Sequence, residues 1–196
     1  MHIKSIKENL KTILAKQKEL NYHFINIIRE PASNVAILNV ESELGLTFND
    51  ELRELYLVAD GTNIDNVTPS GLTGIIPIHN FLNLEDAIKY YKLSITFDQA
   101  FYNSEYDFSP GKKLFPFLED GAGNCYWVDL NSESENFGKI YWTNTFGEDP
   151  KYVFSTLTSM FQAIADGYES GTIWVDGEGY LDCDFTAFDE ICKLYS

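Results

Sequence analysis

The chain has 196 residues, 44% of them hydrophobic and 15% aromatic, which is enough apolar material for one sizeable core. Its 14 basic and 30 acidic residues give a net charge of -16, and residues 30–196 alone carry eight basic and 28 acidic groups. A field of this sign repels nucleic acid and anionic membranes, attracts basic partners and favours solubility. The sequence shows neither a membrane span nor a signal peptide, and its three cysteines form no C-x-x-C pair, so we expect a cytoplasmic protein.

The first half of the chain predicts mainly helices. Apolar residues at helical spacing predict an amphipathic helix near residues 3–20, with lysines on its outer face, and "NYHFINII" is predicted to be extended. Ser33 and Gly45 are typical first and last caps of a second helix, and Asn49 caps a third. "GIIPI" predicts a short strand, and Asn83 followed by Asp86 opens another helix.

The second half changes to short strands. "KLFPFL", "NCYWVDL" and "GKIYWTN" are aromatic-rich runs separated by glycine and polar turns, which is typical of an antiparallel meander. Asp149-Pro150 predicts the start of a helix that ends at Gly167, with a hairpin around Asp176-Gly177 and a last short helix, "TAFDEICKLY", after it. The predicted buried face of the helix after Pro150 is Val153, Phe154, Leu157, Phe161 and Ile164. The fold class is therefore α+β: one domain with a central, mainly antiparallel sheet and helices from the N-terminal and C-terminal parts packed around it.

Two stretches carry a family resemblance. "VESELGLTFNDELRELYLVADG" has a helix ending in Glu-x-x-Leu-Gly and then a second helix ending in Asp-Gly. "LFPFLEDGAGNCYWVDLNSESENFGKIYW" has a strand, an acidic glycine turn, an aromatic strand and a further glycine. Together, in this order, they resemble the signatures of the SUKH superfamily, although Phe48-Asn49 stands where that family commonly has Leu-Pro.

The resemblance covers roughly residues 32–167, with an additional helix and connecting segment in residues 1–31 and a C-terminal hairpin and helix in 168–196. The superfamily contains bacterial immunity proteins that neutralise polymorphic toxins, many of them nucleases or deaminases, and fungal regulators of cell-wall glucan synthesis. The resemblance implies a binding module without catalysis.

The catalytic and metal-binding motifs that are missing from the sequence also favour a binding module without catalysis. The histidines are scattered, and no Walker A, G-x-S-x-G or H-E-x-x-H motif occurs. Asp182 and Asp184 form a D-x-D, as in metal-dependent glycosyltransferases, and Asp176, Glu178 and Asp182 could supply calcium oxygens. No nucleotide-binding pattern precedes the D-x-D, and the calcium loop spacing is missing, so we expect no catalytic, cofactor or metal site.

The stretch "FLEDGAGNCYWVDL" could be a loop that binds a metal ion or a phosphate, or it could be only a turn between two strands. A phosphate loop needs a helix after its glycines, and here a strand follows. Aspartate, glycine and asparagine between two strands are what a tight hairpin requires, which favours a structural turn.

Two function classes remain open, with a glycosyltransferase-like enzyme as a distant third. One is an immunity protein that blocks a basic toxin domain, and the other is a scaffold or regulator of cell-wall synthesis. For a partner surface we expect acids on loops, because loops are exposed and adaptable. The candidates are Asp60, Asp65, Glu119, Asp120, Glu133, Glu135, Glu148 and Asp149.

These observations predict a protein that binds no metal specifically. Calorimetric titration with calcium, magnesium, manganese and zinc should show no stoichiometric site. A micromolar site that disappears in Asp182→Asn or Asp120→Asn would contradict this expectation.

Overall fold

A computed structural model describes residues 3–63, 68, 70–101, 113–144 and 151–196. Six α-helices occur in this part of the chain. They are α1 (Ile6–Glu19), α2 (Asn34–Leu44), α3 (Asp50–Val58), α4 (Leu84–Phe101), α5 (Leu157–Ser170) and α6 (Phe185–Lys193). The strands are β1 (Gly74–Ile76), β2 (His79–Phe81), β3 (Leu114–Glu119), β4 (Cys125–Asp129), β5 (Ile140–Thr143), β6 (Lys151–Phe154), β7 (Ile173–Val175) and β8 (Leu181–Cys183).

The central sheet has the order β1-β2-β3-β4-β5-β6, and each strand runs antiparallel to the next. Strands β7 and β8 form a separate hairpin. The predicted α+β class with an antiparallel sheet is therefore confirmed. The predicted meander corresponds to β3, β4 and β5, and the short strand at "GIIPI" is β1, which lies at an edge of the sheet and ends before Pro77.

Both faces of the sheet are covered. On one face, Phe115 of β3 packs against Phe48 and against Tyr56 of α3, with ring centroids 4.7 and 6.2 Å apart. On the other face, Trp127 of β4 packs against Tyr90 of α4, with centroids 5.8 Å apart. Because successive side chains of a strand point to opposite faces, the aromatic residues of one strand serve two separate apolar clusters.

The N-terminal helix belongs to the larger of these clusters. Ile6, Leu10 and Ile13 of α1 are fully buried, and α1 packs along α5 and against α3. Two residues of the predicted stripe, Ile3 and Leu20, lie outside the helix and are exposed. The lysine-rich side of α1 therefore faces outward while its apolar side completes the core.

The predicted helix ends of the first half agree with the structure. The Ser33 hydroxyl accepts a hydrogen bond from Ala36 N at 3.1 Å, and Gly45 ends α2 with a φ of 65°. The Asn49 side chain accepts from Leu52 N at 2.9 Å at the start of α3. Local capping chemistry is thus readable from sequence.

The predicted helix start at Asp149-Pro150 is not what the structure has. Asp149 and Pro150 lie outside the described residues, and residues 151–154, with Val153 and Phe154, form β6. Tyr152 pairs with Tyr141 of β5, so sheet pairing replaces the helical pattern. Helix α5 begins after Thr156, whose hydroxyl accepts from Ser159 N at 3.0 Å.

The predicted end at Gly167 is also wrong. Gly167 lies inside α5, where a Cβ would come within 2.8 Å of the Ile173 side chain and 3.0 Å of Phe188. The glycine allows close packing, and the helix ends at Gly171, which has a φ of 75°. Residues 21–28 were predicted to be extended, but half of this segment, His23–Asn26, forms a 3-10 helix.

Glu41 connects the first two helices of the signature. Glu41 is 9% exposed, and its carboxylate accepts hydrogen bonds from Phe48 N at 2.7 Å and from the Arg53 guanidinium at 2.6 Å. It therefore fixes α2, the turn that follows it and α3 in one arrangement. A charge-assisted pair of this kind is strong when both partners stay in place.

We expect Glu41→Ala to lower the free energy of unfolding by about 2–4 kcal/mol, because it leaves a buried amide and a guanidinium without their acceptor. Glu43→Ala on the same helix is the control, since Glu43 forms an exposed pair with Lys92 and should cost less than about 1 kcal/mol. Urea unfolding followed by circular dichroism measures both. Equal effects of the two variants would show that Glu41 is not the structural connection described here.

Candidate functional site

The eight candidate partner-binding acids do not form one surface. Asp65, Glu148 and Asp149 lie outside the described residues. The other five divide into acids that organise their own chain and acids that point into solvent.

Asp60 serves the fold. Its carboxylate accepts from Leu84 N at 2.9 Å, at the start of α4, and lies 3.3 Å from the Arg29 guanidinium. Burial raises the pKa of this carboxyl group above its ordinary value, and Asp86 and Glu85 add to the effect, while the Leu84 amide and Arg29 oppose it. Asp60 therefore serves mainly to cap α4, and its carboxylate presents little charge to a partner.

Glu119 and Asp120 organise the β3–β4 turn. Glu119 accepts from Asn80 Nδ2 at 3.2 Å and from the Gly121 amide. Asp120 accepts from Ala122 N at 2.8 Å and from Asn124 N at 2.9 Å, and from the Asn124 side chain as well.

The two glycines of this turn have positive φ angles, 75° at Gly121 and 99° at Gly123. Glycine adopts this conformation at low cost, whereas other residues are strained in it. The backbone amides at 121, 122 and 124 bond to Glu119 and Asp120, so a phosphate would have to displace those carboxylates. These bonds support the structural turn that the sequence favours.

The candidate metal ligands have local partners too. Asp184 caps α6 by accepting from Ala187 N at 3.0 Å, and Asp182 accepts from Cys183 N at 2.8 Å. Asp176 accepts from Glu178 N and Tyr180 N and so shapes the β7–β8 turn. Within the described ranges, no group of three or more His, Cys, Asp or Glu residues could hold a metal ion.

His79 is the buried histidine of the described chain. Its Nδ1 lies 3.0 Å from the Pro77 carbonyl oxygen, and its ring stacks edge-on against Tyr126 at 5.0 Å. Burial lowers the pKa of the imidazole below its ordinary value, although the Pro77 carbonyl and Asp120 oppose the shift. A ring buried between a carbonyl and an aromatic side chain is a packing residue.

The acidic loop, residues 130–139 between β4 and β5, is held in one conformation by a buried carboxylate at its base. Asp129 at its base is 2% exposed and accepts hydrogen bonds from Asn131 N at 2.9 Å, the Ser134 hydroxyl at 3.2 Å and the Tyr152 hydroxyl at 2.7 Å. Gly138 N donates to the Asp129 carbonyl at 2.7 Å and closes the loop. One buried carboxylate thus fixes the conformation of the loop from inside.

The acidic loop presents charge and an aromatic ring outward. Glu133 and Glu135 are exposed, and the Phe137 side chain keeps 45% of its surface accessible. Lys139 of the loop is engaged by its neighbours, since its Nζ donates to Asn136 at 2.8 Å and lies 5.9 Å from the ring centroid of Tyr152 in β6. The loop therefore offers two carboxylates beside an apolar anchor in a fixed conformation.

Distance separates the acidic loop from the β3–β4 turn. The turn precedes Cys125 at the start of β4, and the acidic loop follows Asp129 at its end. Five residues of a strand span roughly 17 Å, so one small contact cannot include both.

A family model described as the SMI1 / KNR4 family (SUKH-1) matches residues 31–163 of the chain. The chain belongs to the SUKH-1 family. No curated protein matches it. The match begins after α1 and ends within α5, so that β7, β8 and α6 follow the matched region.

Proteins of the SUKH family generally bind partner proteins, and the acidic loop lies inside the SUKH-1 match. No helix of the described ranges is both long enough and apolar enough to cross a membrane.

Glu133 and Glu135 are recognisable as candidates from the sequence, but Phe137 and the role of Asp129 are not. The signal for Phe137 was an aromatic residue within the polar run "NSESENFGK". No sequence signal indicated that Asp129 is buried beneath the loop, because its partner Tyr152 comes from β6.

We expect Asp120→Ala to destabilise the protein by about 1–3 kcal/mol, because it removes the acceptor of several loop hydrogen bonds. Glu133→Ala should change stability by less than about 0.5 kcal/mol, as an exposed acid does. Thermal or urea unfolding of both variants tests this. An Asp120→Ala protein of unchanged stability that has lost its partner would show that the β3–β4 turn is a binding site.

Proposed function

We propose that this protein is a bacterial immunity protein that binds and neutralises a cognate toxin domain, without catalysis, through an acidic surface. Membership of the SUKH-1 family supports a protein-binding role. Residues 30–196 contain 28 acidic and only eight basic residues, and this negative charge supports a basic partner.

The observation that carries the proposal is the acidic loop. Glu133 and Glu135 stand exposed beside Phe137, on a loop whose conformation Asp129 fixes. A pre-ordered loop loses little conformational entropy when it binds, so more of its contact energy contributes to affinity. The resulting surface has the composition of a small interface, with an aromatic anchor and a charged rim.

The physical mechanism is competition for a phosphate-binding groove. A toxin that acts on nucleic acid needs lysines and arginines that contact phosphates. Carboxylates placed on those cations occupy the groove, and the long-range attraction accelerates association. Occupation of the groove is sufficient for neutralisation, so the proposed role requires no reactive group on this chain.

The first experiment is neutralisation. The chain should restore growth when it is co-expressed with its cognate toxin domain, which is to be sought among the proteins encoded beside its gene. Failure of rescue, or rescue by a chain that does not bind that domain, would contradict the immunity role.

The second experiment measures rates by stopped flow with the same domain. Glu133→Lys with Glu135→Lys should slow association several-fold at low salt, and the difference should shrink as salt screens charges beyond about 8 Å. Phe137→Ala should instead speed dissociation about tenfold, since an anchor acts in the bound state.

The matched control is Glu43→Lys with Glu85→Lys, which changes the net charge by the same amount at two exposed acids that pair with lysines. This control should slow association less than the loop variant does. If both double variants slow it equally, overall charge and not the acidic loop steers the partner. A neutral or acidic partner, or an on-rate indifferent to salt, would overturn the electrostatic mechanism.

A further inference from the structure

A groove lies between strand β6 and helix α6, and every residue of β6 lines it. Its volume is about 420 Å³, enough to admit a large aromatic side chain. The opposite wall is one face of α6, with Phe185, Phe188 and Cys192, and Met160 and Ile164 of α5 also line the groove. The lining is therefore mainly apolar.

Strand β6 connects this groove to the acidic loop. Tyr152 lines the groove, and its hydroxyl donates to Asp129 at the base of the loop at 2.7 Å. Phe154 also lines the groove and pairs with Ile140, the first residue after the loop. Because β6 has four residues, it spans roughly 13 Å. The groove and the acidic loop are therefore neighbouring parts of one surface.

The acidic loop by itself is too small for a stable protein interface. Such an interface buries about 800 Å² on each partner, in a patch roughly 30 Å across. The exposed side chains of the loop, Glu133, Glu135 and Phe137, cannot supply this area, since even a large aromatic side chain buries at most about 250 Å². A partner bound to the loop must therefore extend over a neighbouring surface, and the groove lies within the same patch.

The groove offers an apolar centre for such an interface. Phe185 lines it and is 71% exposed, and none of the residues of α6 is buried. Protein interfaces usually place apolar and aromatic groups at their centre and charged groups at their rim. In this arrangement the groove is the centre, and the acidic loop is part of the rim.

The charged residues at the groove are compensated by their neighbours. Lys193 pairs with Asp189 at 2.8 Å and with Glu190 at 2.7 Å. Lys151 lies 5.4 Å from the Trp142 ring centroid. These two lysines and two acids balance in charge, so the groove favours an uncharged apolar side chain of the partner over a cation or an anion.

We propose that the groove and the acidic loop form one surface for a single partner, the toxin domain, which inserts an uncharged aromatic or long aliphatic side chain between β6 and α6 while its cations contact the loop. This inference rests on the proposed immunity role. It extends that role by assigning a second apolar contact of the interface to the groove, where it slows dissociation of the complex.

The kinetic test uses the toxin domain that the chain neutralises in the co-expression experiment. In stopped flow, Phe185→Ala should speed dissociation about tenfold and leave the association rate unchanged. The effect should be the same at low and high salt, because salt does not screen an apolar contact. Phe185→Leu keeps an apolar wall and should dissociate nearly as slowly as the unmodified protein.

Leu194→Ala is the matched control. Leu194 is 68% exposed, close to the 71% of Phe185, and it caps the other end of the same helix. Nine residues at about 100° each place it on the opposite side of α6 from Phe185. Both of its rates should therefore equal those of the unmodified protein. Both side chains are exposed, so the variants should fold, and circular dichroism checks this.

Amide hydrogen exchange of the complex locates the contact. Protection of α6 and β6 together with the acidic loop supports the proposal. If the toxin domain is neutralised but Phe185→Ala dissociates like the unmodified protein, or if protection is confined to the loop, the immunity role stands and the single surface is wrong. If no toxin domain is neutralised, the proposed function fails and this inference fails with it.

The free protein tests the chemistry of the occupant without a toxin. Indole, the ring of the tryptophan side chain, should shift amide resonances of α6 and β6 in an NMR titration, whereas n-butylammonium, a model of the lysine side chain, should not. Equal shifts from the two probes, or shifts from neither, would overturn the apolar occupant. So would sedimentation showing that the unmodified protein dimerises while Phe185→Ala is monomeric, because the occupant would then be a second copy.

Discussion

The structure depends on one constraint, which is that both faces of its antiparallel sheet are apolar and must be covered. Strand β4 shows this directly, since Trp127 packs towards α4 while Val128 faces the larger cluster with α1, α3 and α5. An antiparallel sheet can leave one face to solvent only when alternate residues are polar. Helices from both ends of the chain are therefore needed to cover the sheet. On the face of the larger cluster, this places α1 against α5.

The same constraint explains where the fold offers binding surfaces. Helices cover most of the area of the sheet, which leaves the loops at the strand ends as places where a partner can bind. The acidic loop has a fixed conformation because Asp129 is buried beneath it.

Carboxylates have two distinct uses in this acidic chain. Glu41, Asp60, Asp120 and Asp129 each accept backbone or side-chain hydrogen bonds that fix a helix end or a loop. Glu133 and Glu135 are exposed and supply charge to the surface. Net charge alone therefore overstates how much of the acidic composition is available to a partner, and the position of each carboxylate decides its role.

The sequence by itself determined the elements whose signals are local. The caps at Ser33, Gly45 and Asn49, the strand runs of the meander and the resemblance to the SUKH superfamily follow from residues close together in the chain. Tertiary structure alone decided that residues 151–154 form a strand, because their partner β5 overrides the helical spacing. It also decided which loop acids are exposed, since burial depends on neighbours that are distant in sequence, such as Tyr152 above Asp129.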